Sequence, residues 1–186
     1  MTSSYSTDLK LELMVTGENA GTWGDITNTN LNILQQAIAG YESIALNATT
    51  GATLTFSNGV TSNGKNAVLN LTGTLTSSVN VIIPDGIEKT YTVKNATTGA
   101  YAVTFKTTSG SGATWAAADK GVKLLYSDGT DVTDVNSQLK TISLFTLPTV
   151  DGTSGQAILT NGAGTLSFGE AGISTGKAIA MAIVFG

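Results

Sequence analysis

Residues 90–106 have the sequence TYTVKNATTGAYAVTFK. Near its end the large side chains Tyr101, Val103 and Phe105 alternate with smaller or polar ones. Such alternation is typical of a strand with one buried face and one solvated face. A second strand pattern occupies residues 90–94, and the Thr98-Gly99 pair provides turn chemistry between the two. The stretch therefore predicts two short strands joined by a tight connection.

The same succession of strand patterns and turn sequences extends over residues 42–137. Further strand candidates lie at residues 43–48, 52–56, 67–71, 79–83, 122–127 and 130–135. Turn sequences separate them at Asn58-Gly59, Asn63-Gly64, Pro84-Asp85-Gly86 and Asp128-Gly129. Asn-Gly and Asp-Gly supply the positive φ that tight hairpins require. The pattern predicts a mainly β fold with an antiparallel β-sandwich-like or barrel-like central domain.

Composition supports a β-rich chain and excludes several kinds of chemistry. Gly, Thr, Ser and Asn make up 82 of the 186 residues, and charged residues only 12%. Cys and His are absent, and the nine cations are all lysine. A Ser-His-Asp triad, a Cys/His zinc site and arginine clamps on phosphate cannot be built from these residues. We therefore expect a non-enzymatic binding or structural module without a cofactor.

Charge and hydropathy also limit the expected partners. The net charge is −4 and the sequence pI is about 4.6, which disfavours binding to nucleic acid. The longest apolar run, residues 178–185, is much shorter than the roughly 20 residues of a membrane helix. The first 13 residues lack the pattern of a signal peptide. We expect a soluble protein that is made in the cytoplasm and does not insert into membranes.

Residues 1–41 differ from the central region and contain the predicted helix. Residues 9–14 alternate in hydropathy like a short strand. Apolar residues at helical spacing predict an amphipathic helix over 27–39, capped by Asp25 or Thr27 and ended by Gly40 in the left-handed conformation. Trp23, beside the helix start, either anchors the chain in a pocket of a neighbouring protein or packs on its own helix. Leu31, Leu34 and Ile38 are further candidates for anchoring and equally for ordinary packing.

Residues 138–186 are dense in turn residues and poor in large apolar side chains. A stretch with so few large apolar side chains does not bury enough area to fold alone. We therefore expect it to pack on the central domain or on copies of itself. The final residues alternate large side chains with mostly alanine, which predicts a strand covered on both sides; an ordinary last strand of one core is the alternative. The candidate oligomerisation residues are Ile158, Leu166, Phe168, Ile179, Met181, Ile183 and Phe185.

Three groups of motifs, in a consistent order along the chain, resemble virion structural proteins of tailed bacteriophages, many of them tail fibres. The first is LKLELM at 9–14, TGE at 16–18, GTWG at 21–24 and NTN at 28–30. The second is Ile83-Pro84, TYTVKNATTGAY at 90–101 and KLLYSDGT at 123–130. The third is GTSGQAILTNGAGTLSF at 152–168, which is similar to a short fibre repeat.

The resemblance implies a homotrimer located in the virion, with residues 1–41 attached to other virion proteins and the distal parts available to the host surface. The expected protein is a short trimeric tail fibre or tail-attachment component. The sequence leaves two alternatives open: a capsid decoration or cement protein, and a carbohydrate-binding receptor module. Residues 1–41 would be the attachment segment, 42–137 the β-domain and 138–186 the oligomeric β segment.

Two candidate ligand sites are considered from the residue types and their spacing alone, without the resemblance. Trp115 follows a Gly/Ser-rich loop and, with Tyr101 and Tyr126, forms a candidate patch for a host glycan; the alternative is that Trp115 closes one end of the sandwich. Asp128, Asp131 and Asp134 recur at intervals of three. That spacing places successive members on opposite faces of a strand, so we expect no metal site there.

Overall fold

The computed structural model describes residues 3–138, 141–142, 145–170, 172 and 183–184. The chain divides into two compact units, residues 1–136 and residues 137–186, which are described separately. The predicted attachment segment, residues 1–41, belongs to the first unit. Met181 and Phe185, with Ile179, lie outside the described residues. No described helix is long and apolar enough to cross a membrane.

The chain is mainly β, as the sequence predicts. Helix α1 covers Trp23–Ala39, and 3-10 helices cover Asn63–Lys65 and Val135–Gln138. The strands are β1 (Ser4–Tyr5), β2 (Glu12–Leu13), β3 (Tyr41–Ala45), β4 (Gly51–Thr53), β5 (Val68–Thr72), β6 (Val79–Ile83), β7 (Glu88–Asn95), β8 (Val103–Thr107), β9 (Gly112–Trp115), β10 (Val122–Asp128), β11 (Val132–Asp134), β12 (Thr141–Ile142), β13 (Phe145–Thr146), β14 (Gln156–Thr160) and β15 (Leu166–Glu170).

Two sheets form the sandwich of the first unit. The five-stranded sheet has the order β11-β10-β7-β5-β3, and the four-stranded sheet has the order β4-β6-β8-β9. Their inner faces share one core, whose largest members include Tyr91 and Leu125 from the first sheet and Phe105 and Trp115 from the second. The rings of Tyr91 and Phe105 lie 5.3 Å apart between centroids. The sandwich is confirmed, and no barrel closes among the described strands.

Strand direction corrects the prediction of an antiparallel domain. Strands β3, β5 and β7 pair in parallel, as do β4, β6 and β8. From β3 to β8 the chain crosses to the other sheet after each strand and returns one position further on, so it re-enters each sheet in the same direction. Val68 therefore lies beside Thr92 and Val79 beside Val103, the same step of 24 residues in both sheets. Strands β9, β10 and β11 close the stack with antiparallel pairs.

The turn sequences explain this error. Most of them serve crossovers between the sheets, because Asp85-Gly86 joins β6 to β7 and Thr98-Gly99 joins β7 to β8. Asp128-Gly129 forms the predicted hairpin, between β10 and β11. Turn residues supply the backbone conformation for either connection and do not specify which sheet the next strand joins.

Helix α1 begins one turn earlier than predicted and ends differently. Thr22 precedes the first turn without a side-chain cap, in place of the predicted Asp25 or Thr27. Gly40 is extended (φ −68°, ψ 137°) rather than left-handed, because the chain runs directly into β3. Glycine is required there for space: a Cβ would lie 2.3 Å from the Gln36 carbonyl oxygen and 2.4 Å from Asn66 Oδ1.

The segment before the helix is tied to it by one asparagine. Asn30 Oδ1 accepts a hydrogen bond from the Glu12 amide at 3.0 Å, and Asn30 Nδ2 donates to the Glu12 carbonyl at 2.9 Å. Only Glu12–Leu13 of the predicted strand at 9–14 is extended and paired, since Lys10 adopts a positive φ of 55°.

Two lysines stabilise the connection between β4 and β5. Lys65 is fully buried, and its Nζ donates to the carbonyl oxygens of Ser57 and Val60, both at 2.6 Å. Lys89 Nζ donates to the Asn66 carbonyl at 3.0 Å and lies 4.4 Å from the centre of the Tyr91 ring. Burial lowers the pKa of Lys65 to about 8, with a contribution from nearby Lys10, and burial also lowers the pKa of Lys89 to about 8.

The described part of the second unit contains two short antiparallel pairs. Strand β12 pairs with β13 and β14 with β15, and Thr146 bridges to Thr165. Ile183 and Val184, the two described residues of the predicted terminal strand, have helical rather than extended backbone. Alanine alternates with the large residues of this tail, and alanine favours helix over strand.

Candidate functional site

Helix α1 presents an apolar stripe to solvent. Trp23, Leu31, Leu34 and Ile38 are spaced so that they share one side of the helix, and each is exposed, from 36% for Leu34 to 79% for Ile38. The buried side of the helix is centred on Ile33 instead. The four predicted anchoring residues are therefore brought together, on a surface that the described chain leaves uncovered. We call this surface the α1 stripe.

The C-terminal hairpin β14–β15 presents a second apolar surface. Ile158 lies opposite Phe168, and Thr160 lies opposite Leu166, so the three predicted oligomerisation residues of this hairpin share one face. Ile158 is 58% exposed, and no side chain of residues 145–170 is buried. Gly152 packs under the Phe168 ring, where a Cβ would approach ring atoms to 2.6 Å. We call this surface the hairpin face.

The third predicted site does not assemble as expected. Trp115 lies on β9, a strand where the sequence predicts a loop, and its ring is fully buried. Its Nε1 donates to the Gly121 carbonyl at 3.1 Å, and Lys123 Nζ lies 5.7 Å from the ring centre. Trp115 is thus a core residue and cannot contact a glycan from solvent, although Tyr101 and Tyr126 are exposed.

The three aspartates from the end of β10 to the end of β11 have structural partners. Asp128 Oδ1 accepts from the amides of Asp131 and Thr130, and these hydrogen bonds lower the pKa of the Asp128 carboxyl. Asp131 Oδ1 accepts from the Ser111 amide, and Asp134 pairs with Lys123 at 2.8 Å. The residues that the structure describes contain no cluster of three acidic side chains able to hold a metal.

A polar groove that the sequence analysis missed lies beside α1. It has a volume of about 390 Å³, within the range of small-ligand sites (roughly 300–1,000 Å³). Its polar lining is formed by amide and hydroxyl side chains, namely Asn32, Gln35, Gln36, Tyr41, Thr61 and Asn66. No charged side chain lines it. We call it the amide groove; the signal that could have found it is the five amide residues within the 17-residue helix.

The floor of the amide groove is held by hydrogen bonds. Asn66 is buried, and its Nδ2 donates to Glu42 Oε2 at 2.8 Å. Gln36 Oε1 accepts from the Ser62 amide, and the Gln36 carbonyl accepts from the amides of Gly40 and Ala67. The groove is therefore bounded by fixed backbone and not by a free loop.

Comparison of the chain with protein-family models, with curated proteins and with solved structures finds no match. Three surfaces of the chain and the motifs of its sequence therefore remain as indications of its function.

Proposed function

We propose that the chain is a non-enzymatic structural protein of a tailed-bacteriophage virion, a short tail fibre or tail-attachment component that assembles as a homotrimer. The motifs at 9–30, 83–130 and 152–168 support the virion assignment, since they resemble segments of such proteins in the same order. The hairpin face and the α1 stripe provide two surfaces for assembly.

The exposure of the hairpin face is the observation that supports a trimer most directly. Residues 145–170 bury none of their side chains, so the hairpin lacks a core of its own. Burying a large apolar side chain stabilises by roughly 1.5–3 kcal/mol, and Ile158, Leu166 and Phe168 offer three of them on one face. Identical chains wrapped around a common axis would supply the missing apolar partners.

The α1 stripe supports attachment to another virion protein. Its ends are Trp23 and Ile38, 62% and 79% exposed, and Trp is enriched at the energetically dominant positions of interfaces. The helix carries one charged residue, Asp25. Its apolar side is thus suited to a complementary apolar pocket and not to electrostatic docking.

Labelled particles test the virion assignment. Antibodies against the purified chain, coupled to gold, should label the tail of the phage particle in electron micrographs. Gold on the capsid would support a decoration protein instead. Particles that carry no label and no peptide of this chain by mass spectrometry would overturn the virion assignment.

Paired substitutions test the role of the hairpin face. Ile158→Glu places a charge on this face, and Ser167→Glu places the same charge on the opposite face of the same hairpin. We expect Ile158→Glu to dissociate the trimer in sedimentation equilibrium and Ser167→Glu to leave it intact. Equal masses for the two variants would contradict the proposed interface.

A further inference from the structure

The amide groove has the chemistry of a site for an uncharged sugar. Asn32 and Gln35 extend exposed amides from α1, and Thr61 adds an exposed hydroxyl. These side chains, with the Tyr41 hydroxyl, make no hydrogen bond within the described part of the chain. A primary amide offers two donor hydrogens and one acceptor oxygen, which suits neighbouring hydroxyl groups that both donate and accept.

Tyr41 adds an aromatic surface at the mouth of the groove. It is 63% exposed and lies at the start of β3, the edge strand of the five-stranded sheet. Pairing with Val68 and the close approach at Gly40 fix its backbone position. A tyrosine ring combines an apolar face, which can pack on the C–H face of a pyranose, with a polar hydroxyl.

Charge distinguishes among polar ligands. No lysine, aspartate or glutamate lines the groove. Two charged side chains contact the lining residue Asn66 and have partners there: Glu42 accepts a hydrogen bond from the buried Asn66 amide, and Lys89 donates to the Asn66 carbonyl. A phosphate, a sialic acid or a cationic ligand would therefore lose its hydration without gaining an ion pair.

We propose that the amide groove binds a neutral oligosaccharide, with Tyr41 stacking on one sugar ring and the amides of Asn32 and Gln35 hydrogen-bonding its hydroxyls. The α1 residues that line the groove are Asn32, Gln35, Gln36 and Ala39, and none of them belongs to the α1 stripe. Glycan binding by the purified chain does not depend on the virion assignment.

The test uses the full chain and a panel of soluble neutral glycans, namely oligomers of glucose, galactose, mannose and N-acetylglucosamine, with sialylated oligomers as the charged counterpart. Titration calorimetry should show binding to at least one neutral oligomer and none to the sialylated set. Tyr41→Ala should raise the Kd about tenfold or more, and Asn32→Ala with Gln35→Ala by a similar factor, if each lost contact contributes a typical amount.

Val122→Ala and Leu124→Ala serve as controls, since both remove an exposed apolar side chain from β10, which does not line the groove. We expect both to bind with the Kd of the unmodified chain. Circular dichroism checks that each variant is folded, and the Asn32/Gln35 double variant alters only exposed helix positions if Tyr41→Ala does not fold. Absence of binding across the neutral panel at millimolar glycan, or binding lost in the controls but retained in Tyr41→Ala, would overturn the proposal.

Discussion

Replacing Trp115 tests the packing of the sandwich and the loss of the predicted glycan patch together. Its ring is fully buried against the core, so Trp115→Ala removes the largest fully buried side chain of the described residues. Truncation of a buried tryptophan to alanine costs about 3–5 kcal/mol in free energy of unfolding. Trp115→Phe retains much of the apolar area but leaves the Gly121 carbonyl without its donor. The lost hydrogen bond lowers the unfolding free energy by about 1 kcal/mol, and the smaller ring lowers it further.

The assay is urea unfolding followed by far-ultraviolet circular dichroism. Trp23→Ala is the matched control, because Trp23 is 62% exposed and should change the unfolding free energy by no more than about 0.5 kcal/mol. We expect the order of stability to be wild type and Trp23→Ala, then Trp115→Phe, then Trp115→Ala. A Trp115→Ala variant as stable as the Trp23→Ala control would refute the assignment of Trp115 to the core.

Three further predictions concern backbone space and buried polar groups. Tyr91→Phe should raise the unfolding free energy by about 1 kcal/mol in thermal or urea unfolding, because the buried Tyr91 hydroxyl has no hydrogen-bond partner within the described chain; a decrease of that size would contradict this. Gly40→Ala should lower the unfolding free energy by about 1–3 kcal/mol, because the new Cβ would clash with the Gln36 carbonyl oxygen. Ala39→Gly adds no atom near that oxygen and should lower the unfolding free energy by no more than about 1 kcal/mol. Equal losses in the two variants would argue against the clash. Stability should rise between pH 8 and pH 9.5, because Lys65 and Lys89 have pKa values of about 8 in the folded chain and the unfolded chain therefore holds more protons in this range. The urea midpoint should rise less steeply with pH in Lys65→Met than in the wild type. Identical slopes would contradict the contribution of Lys65.

Local patterns predicted the elements better than their arrangement. Val79–Ile83 is a strand with the predicted bounds, and its residues alternate between buried and more exposed positions, as a single buried face requires. Strand β9 escaped prediction because the glycines and serines at 109–112 are typical of a loop. The register of the parallel strands depends on contacts 24 to 29 residues apart, which no short-range pattern encodes.

The candidate surfaces divide in the same way. The helical spacing of Leu31, Leu34 and Ile38 predicts an apolar side of α1. The structure shows that the helix packs inward through the side that carries Ile33, which leaves the side with Leu31, Leu34 and Ile38 exposed. The sequence around Trp115 predicts an exposed loop residue, because an aromatic residue after a Gly/Ser-rich stretch resembles a loop residue as much as an inward-facing strand residue. The amide groove depends on the approach of α1 to residues 61–66, a tertiary contact that composition alone does not reveal.

The mass of the full chain in solution tests the central claim most directly. One chain has a mass of 18.9 kDa, so a homotrimer has a mass of about 57 kDa. Sedimentation equilibrium at micromolar concentration should fit this single mass, because the hairpin face has no apolar partner within its own described unit. A stable, folded species of 18.9 kDa under the same conditions would contradict the account.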